Sequence, residues 1–402
     1  MISLKIRRRA VLCALAVFIV SVLCCCAASA SSFEKSGDRQ RKFEAGVRIT
    51  RGVVNIVDLR GTWREMGRQY GALMAPELKH IYEAAIIGEV AHRRPENMQL
   101  MRATADAYYA NAPYRYRELI AGMAETSGLK ATELTLVNSV EMVSGLSQCA
   151  GLAAWGAYAA GPLVYGRNYD YFPSWFQKLA KDIVIAVYHP GDGSLAALTV
   201  GYAGEMYAVN GLNEKGIFLE LNNGTPSGGS LHFTNRTHVT QSLFALLFEA
   251  PDLKYVDSFF HTTNSSGAFI IGVADAERAH AYEWPTFGVA DSSAAGDGLM
   301  VITNHFADKA WGLAEPGDQK SWLSLSRKRN LTALAEKHKG RLNAKTMMSI
   351  LDTPYDSGGA TMTGATMYQL VTVPKTRELW IKITNAQNWT EVDAAALLSG
   401  AL

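Results

Sequence analysis

The chain predicts an α+β protein of stacked layers, antiparallel sheets with helices packed on them. Three observations predict it. Residues up to about 148 carry apolar positions at helical spacing. From Cys149 onward, short runs rich in Val, Ala and Tyr are bounded by turn residues. Helices then return in blocks between strand runs rather than alternating with them one for one. The 402 residues, 48% hydrophobic and 19% charged, suit one large globular domain or two closely packed ones.

The first residues read as a targeting segment. Lys5, Arg7, Arg8 and Arg9 form a basic start, and an apolar run extends from Ala10 to Cys26. It ends in Ala27-Ala28-Ser29-Ala30, small residues of the kind found at signal-peptide cleavage sites. Cleavage after Ala30 is expected, leaving an exported chain with no stable membrane association. The alternative is an uncleaved anchor, because the run is about as long as the shortest membrane spans, roughly 17 residues. A lipoprotein site at Cys24 to Cys26 is disfavoured, since Leu or Cys precedes each candidate.

Residues 31–43 are polar and read as a flexible leader. A short strand is expected from Gly52 to Leu59. Helices follow from Trp63 through Ile81, over Met98–Ala110 and Tyr116–Thr126, and from Thr132. Residues 31–148 thus form a mainly helical N-terminal segment, and 149–402 the sheet-rich region. Strands are expected at Cys149–Trp155, Leu163–Tyr169, Ile183–His189, Leu195–Gly201, Met206–Val209 and Ile217–Leu221. Asp192-Gly193 marks a hairpin. Helices at Thr240–Glu249 and Leu253–His261 separate these from strands at Ala268–Ala274, Ala279–Trp284 and Met300–Thr303. Helices begin near Trp322 and Ala344, and a hairpin of Gln369–Val373 with Leu379–Ile383 closes the chain.

Several function classes lose their usual support. There is no G-x-S-x-G, H-E-x-x-H, P-loop or Rossmann fingerprint. The net charge is +2 with no Lys/Arg-rich stretch after the first residues, so nucleic acid is not an expected partner. No ligand cluster calls for a metal or other cofactor.

Cysteine usage points to chemistry. Four of the five cysteines lie in the first 26 residues, and Cys149 is the only other one. An unpaired cysteine in an oxidising compartment is either a buried bystander or a reactive thiol. Cys149 opens a strand, and the next strand ends in Gly166-Arg167-Asn168-Tyr169-Asp170-Tyr171. In an antiparallel pair, Arg167 and Asp170 reach the Cys149 end of their neighbour. A guanidinium there favours the reactive thiolate.

These residues resemble the cysteine N-terminal-nucleophile (Ntn) hydrolases. The likeness is to the acyl-coenzyme A:6-aminopenicillanate acyltransferase (peptidase C45) group and its relatives, the choloylglycine hydrolases and penicillin V acylases. It covers roughly residues 50 to 385. Leu59-Arg60-Gly61 with Glu65, Gly67 and Gly71 resembles the family's opening segment. Gly122-Met123-Ala124-Glu125-Thr126-Ser127-Gly128-Leu129 resembles the helix end ahead of the cleavage site. Gly166-Arg167-Asn168-Tyr169-Asp170 is similar to its most specific motif. Asn210-Gly211-Leu212-Asn213-Glu214-Lys215-Gly216-Ile217 followed by Asn222 resembles the turn and strand carrying an oxyanion residue. Thr303-Asn304-His305-Phe306 resembles the second such element, and Ser324-x-x-Arg327 the late arginine. The long segment before Cys149 suits the C45-like group better than choloylglycine hydrolases. Ala150 departs from relatives that carry a hydroxyl after the nucleophile.

The resemblance implies a four-layer αββα sandwich and self-cleavage between Gln148 and Cys149, with the two chains remaining associated. The freed α-amine, with a reference pKa of about 7.7–8.0, would serve as base. The implied catalytic set is Cys149, Arg167, Asp170, Asn222, Asn304 and Arg327, with Asn222 and Asn304 as oxyanion donors. Asn223 is an alternative to Asn222, and His305 reads as structural. Glu205 and Tyr207 are placed at the pocket by position alone. The implied activity is hydrolysis of a linear carbon–nitrogen amide in a small molecule through a thioester. The alternatives are acyl transfer to an amine, or an inactive exported binding protein of the same fold.

Overall fold

Period-2 runs with both faces apolar need a partner on each side, and the chain supplies it by packing two sheets face to face. The computed structural model describes residues 39–141, 147–171, 174–229, 235–291 and 298–401; the expected signal segment lies outside these. The first sheet has ten strands in the order β1-β2-β3-β6-β7-β8-β9-β10-β11-β12. They are β1 Arg39–Phe43, β2 Gly46–Arg51, β3 Val54–Gly61, β6 Ile183–Pro190, β7 Ala197–Tyr202, β8 Asn210–Asn213, β9 Phe218–Asn223, β10 Phe269–Ala274, β11 Ala279–Trp284 and β12 Ala290–Asp291. The second has six, β13-β4-β5-β14-β15-β16. These are β4 Ser147–Ala154, β5 Val164–Tyr171, β13 Leu299–Ile302, β14 Thr366–Val373, β15 Glu378–Ile383 and β16 Gln387–Val392. All pairings are antiparallel except β3 with β6.

Helices cover both outer faces, which gives the expected α+β four-layer αββα sandwich. On the ten-stranded side lie α1 Trp63–Leu73, α2 Ala75–Ile81 running into a π-helix Tyr82–His92, α3 Glu96–Ala110, α4 Tyr114–Thr126, α5 Ala131–Val137, α6 Val239–Glu249 and α7 Leu253–Thr262. On the other lie α8 Ser324–Lys337 and α9 Ala344–Leu351; a short α10, Ala394–Leu398, ends the fold. Among the described residues no helix is long and apolar enough to cross a membrane.

The opening motif has a packing reason. Thr62 and Glu65 form a capping box at the start of α1. A Cβ on Gly67 would lie 2.3 Å from the Leu119 carbonyl oxygen, and one on Gly122 2.1 Å from that of Arg64. The glycines let α1 and α4 touch backbone to backbone.

Three expectations need correction. Residues 39–43 are not part of a leader but form β1, paired with β2. An edge strand needs no buried face, so no apolar period announced it. Met206–Val209 is not a strand. Its backbone bonds go to scattered partners instead of a ladder: Met206 N–H donates to Asn138 Oδ1 at 2.9 Å, Ala208 N–H to the Thr240 carbonyl at 3.1 Å, and the Val209 carbonyl accepts the Leu221 N–H at 2.8 Å. The strand begins after it, at Asn210. The closing hairpin is a three-strand meander, since β16 follows β15.

Candidate active site

β4 pairs with β5 in a register that sets Cys149 opposite Tyr169, Gln148 opposite Asp170 and Gly151 opposite Arg167. Strand alternation turns Cys149 and Ala153 toward the ten-stranded sheet, while Ala150 and Leu152 join the core under α8 and α9. β13 runs along the other edge of β4, with Ile302 opposite Gly151. Two residues further on, Asn304 comes level with Cys149. The six residues implied by the resemblance are all buried.

Each polar atom of Cys149 meets a different partner. Arg167 Nη2 donates to its sulfur at 3.2 Å. Its N–H donates to Asn304 Oδ1 at 3.0 Å. Its carbonyl accepts from Arg327 Nη1 at 3.0 Å.

Arg167 is held in turn by the Leu221 carbonyl at 3.0 Å and by an ion pair of Nη1 with Glu220 Oε2 at 3.3 Å. Glu220 reaches it because Gly151 has no side chain: a Cβ there would lie 2.0 Å from Glu220 Oε1. Arg327 also donates to Asn304 Oδ1 at 2.7 Å and pairs with Asp170 Oδ2 at 3.4 Å. The other Asp170 oxygen accepts from the Thr366 hydroxyl at 2.5 Å. Arg327 is aimed by the turn before α8, where Trp322 and Leu323 adopt φ of 55° and 60°, and the Trp322 carbonyl accepts from Arg327 Nε.

Ser324 and Arg327, on one face of α8, do separate jobs. Ser324 Oγ accepts the Asn304 N–H at 2.7 Å and lies 2.7 Å from His305 Nδ1. His305 is a support for this loop. Burial is the first reason that its pKa falls to about 4, so it is neutral.

In the intact chain Asn304 turns its amide oxygen toward the Cys149 N–H and Arg327. Arg327 and the Cys149 N–H can only donate, so the atom facing both must be the amide oxygen. One of its two Nδ2 hydrogens goes to the Asn223 carbonyl at 2.8 Å. Asn223 in turn uses Oδ1 to accept the Thr225 N–H in a turn. Asn222 is different. It lies on the same face of β9 as Glu220, is fully buried, and neither of its amide atoms has a hydrogen bond of ordinary geometry. Of the two neighbours it is the available donor.

Burial is the largest influence on the titratable groups. It pushes the Cys149 thiol to about 12 against the pull of Arg167, and Asp170 to about 6 against Arg327 and Thr366. Glu220 is pushed to about 7, opposed by Arg167. Among the described residues no group of three or more His, Cys, Asp or Glu side chains could hold a metal ion.

Sequence reading missed Glu220 and Thr366. Glu220 had a signal available: two residues before Asn222 in a strand, it must share its face. Thr366 had none, because its partner Asp170 lies 196 positions away.

No family model and no curated protein matches the chain. Among solved structures it is similar to the Caenorhabditis elegans ortholog of N-acylethanolamine-hydrolyzing acid amidase, at 16% identity and a TM-score of 0.43, over 61% of this chain and 100% of that one. It is similar to a variant of the conjugated bile acid hydrolase of Clostridium perfringens, at 14% identity and a TM-score of 0.43, over 61% and 92%. It is also similar to the penicillin V acylase of Agrobacterium tumefaciens, at 9% identity and a TM-score of 0.35, over 61% and 88%.

Proposed function

We propose that the chain is an exported cysteine Ntn hydrolase of the C45-like kind. It cuts itself between Gln148 and Cys149 and then hydrolyses a linear amide bond with Cys149. The observation that carries the reading is that the sulfur, nitrogen and carbonyl of this one residue are each held by a different buried side chain.

In self-cleavage the Cys149 sulfur attacks the Gln148 carbonyl carbon. The Gln148–Cys149 C–N bond breaks, and the nitrogen leaves as an amine after taking a proton. Water then splits the thioester, leaving a carboxylate on Gln148 and a free thiol. Asn304 Oδ1 accepts from that nitrogen before and after the cut and fixes the amine beside its own sulfur. Ser147 and Gln148, paired with β5 in the intact chain, are then free to leave the sheet. Water entering their place removes the burial that holds the thiol protonated, and Arg167 favours the thiolate.

The same steps repeat on a substrate amide. The amine acts as base, the sulfur as nucleophile, and Asn222 as a donor to the oxyanion. Water releases the acid. The two chains stay together because β3 of the first lies between β2 and β6 in the ten-stranded sheet.

The test is intact mass and N-terminal sequencing of residues 31–402, beside Cys149→Ala. Two fragments, the second starting Cys149-Ala150-Gly151, with the variant uncut, are the expected result. A single chain in both samples sinks the proposal.

A further inference from the structure

A second acidic pair, half-buried Glu141 and buried Glu205, lies without a cation beside Tyr202, whose ring is 6.4 Å from that of Tyr169, the residue opposite Cys149. Glu141 follows α5, and its Oε2 accepts from the Tyr207 hydroxyl at 3.0 Å, while its Oε1 has no partner. Glu205, on the turn after β7, is 8% exposed, and its Oε2 accepts the Tyr202 N–H at 2.8 Å. The Tyr207 hydroxyl touches this carboxyl too. Among the described residues no Lys, Arg or His forms an ion pair with either. Burial pushes Glu141 to about 7 and, with the Glu141 charge beside it, raises Glu205 well above the usual carboxylate range.

Other groups around the pair also lack hydrogen bonds of ordinary geometry. The Tyr202 hydroxyl has none, though the residue is 2% exposed, and its ionisation is opposed by both carboxylates. Gln241 is 1% exposed and neither of its amide atoms has a hydrogen bond of ordinary geometry. It lies beside the Tyr108 hydroxyl, which also feels both carboxylates. Native interiors rarely leave buried polar groups unpaired. Several around one acidic pair mark a place built for a ligand that donates.

The pair belongs to the acyl side of the reaction. Arg167, 3.2 Å from the nucleophilic sulfur, is close enough for its charge to favour ionised Glu141. In self-cleavage Gln148 supplies the acyl half, and Glu141 stands seven residues before it in sequence, on that same side of the bond. A substrate's acyl half takes the same place.

We infer that Glu141 and Glu205 form a subsite for an ammonium group on the acyl half of the substrate, so that the preferred amides are those of amino-bearing acids. This rests on the hydrolase reading above. An ammonium has three donors and no acceptor, which matches carboxylates, a hydroxyl and an amide oxygen.

The experiment compares two 4-nitroanilides with the self-processed enzyme, one carrying a 6-aminohexanoyl group and one its neutral isostere, heptanoyl. The expected kcat/KM is at least tenfold higher for the amino compound. Glu205→Gln and Glu141→Gln, each confirmed by mass to have processed itself, should bring the ratio close to one. A wild-type ratio of one or below, a ratio that survives both substitutions, or failure of a processed chain to cleave either compound overturns the inference alone. An uncut chain overturns the hydrolase reading with it. The mass measurement separates the two failures.

Discussion

Asn304 Oδ1 accepts the backbone N–H of Cys149 at 3.0 Å across 155 positions of sequence. The nitrogen that self-cleavage would turn into the catalytic amine is therefore oriented before it is freed. Asn304→Leu removes the acceptor and should slow both self-cleavage and turnover by about 10-fold or more, since leaving a buried donor without its partner costs about 1–3 kcal/mol. Asn304→Asp keeps an oxygen there and should process faster than Asn304→Leu. The fraction cleaved against time, by mass, checks the order, and equal rates would remove this role.

Asn222 is the buried amide with donors to spare. Asn222→Ala should lower kcat by about 10²–10³ while KM changes little, as for loss of one oxyanion donor. Asn223→Ala should cost less in kcat, since its side chain serves a turn. Steady-state kinetics on any cleaved anilide decides between them.

Gly151 has its value in the missing Cβ. Gly151→Ala forces Glu220 away from Arg167 and should destabilise the fold by about 1–3 kcal/mol. Self-cleavage should slow as well, because Arg167 loses its anchor. Urea unfolding and cleavage time courses on the same sample read both effects.

Arg327 serves the Cys149 carbonyl, Asn304 and Asp170 from one fully buried guanidinium. Arg327→Ala leaves Asp170 uncompensated and should cost about 3–5 kcal/mol. Arg327→Lys should recover little, since one ammonium cannot reproduce the planar fork. Chemical denaturation in a Cys149→Ala background, where no cut complicates the transition, measures it.

Stability of the uncut chain should fall as pH rises. Burial lifts Glu141 from 4.5 to about 7 and Asp170 from 3.8 to about 6. The folded state thus holds these protons more tightly than the unfolded chain does. The stability they contribute is fully present below about pH 4 and is lost as pH passes through about 6 to 7. The thermal midpoint of Cys149→Ala should be lower at pH 8 than at pH 5, with a smaller difference in the Glu141→Gln double variant. A midpoint that rises over this range would contradict the assignment.

Local patterns carried much of this molecule. The 3.6-residue spacing of Met66, Tyr70 and Leu73, the Asp192-Gly193 hairpin and the lone Cys149 ahead of Gly166-Arg167-Asn168-Tyr169-Asp170 all lie within short windows. Short-range physics is enough to read them. What the tertiary structure alone decided is direction and company. Which end of the Asn304 amide faces Cys149 depends on Arg327, and Asp170 meets Thr366 only when β5 and β14 pair. Glu220 reaches Arg167 only where Gly151 leaves room in the facing sheet. β1 was hidden because an edge strand buries little, and Met206–Val209 read as a strand because it is apolar and buried, although its hydrogen bonds go to scattered partners rather than a ladder. Sequence shows which groups are present; the polarity of a hydrogen bond is set by partners that arrive from elsewhere in the chain.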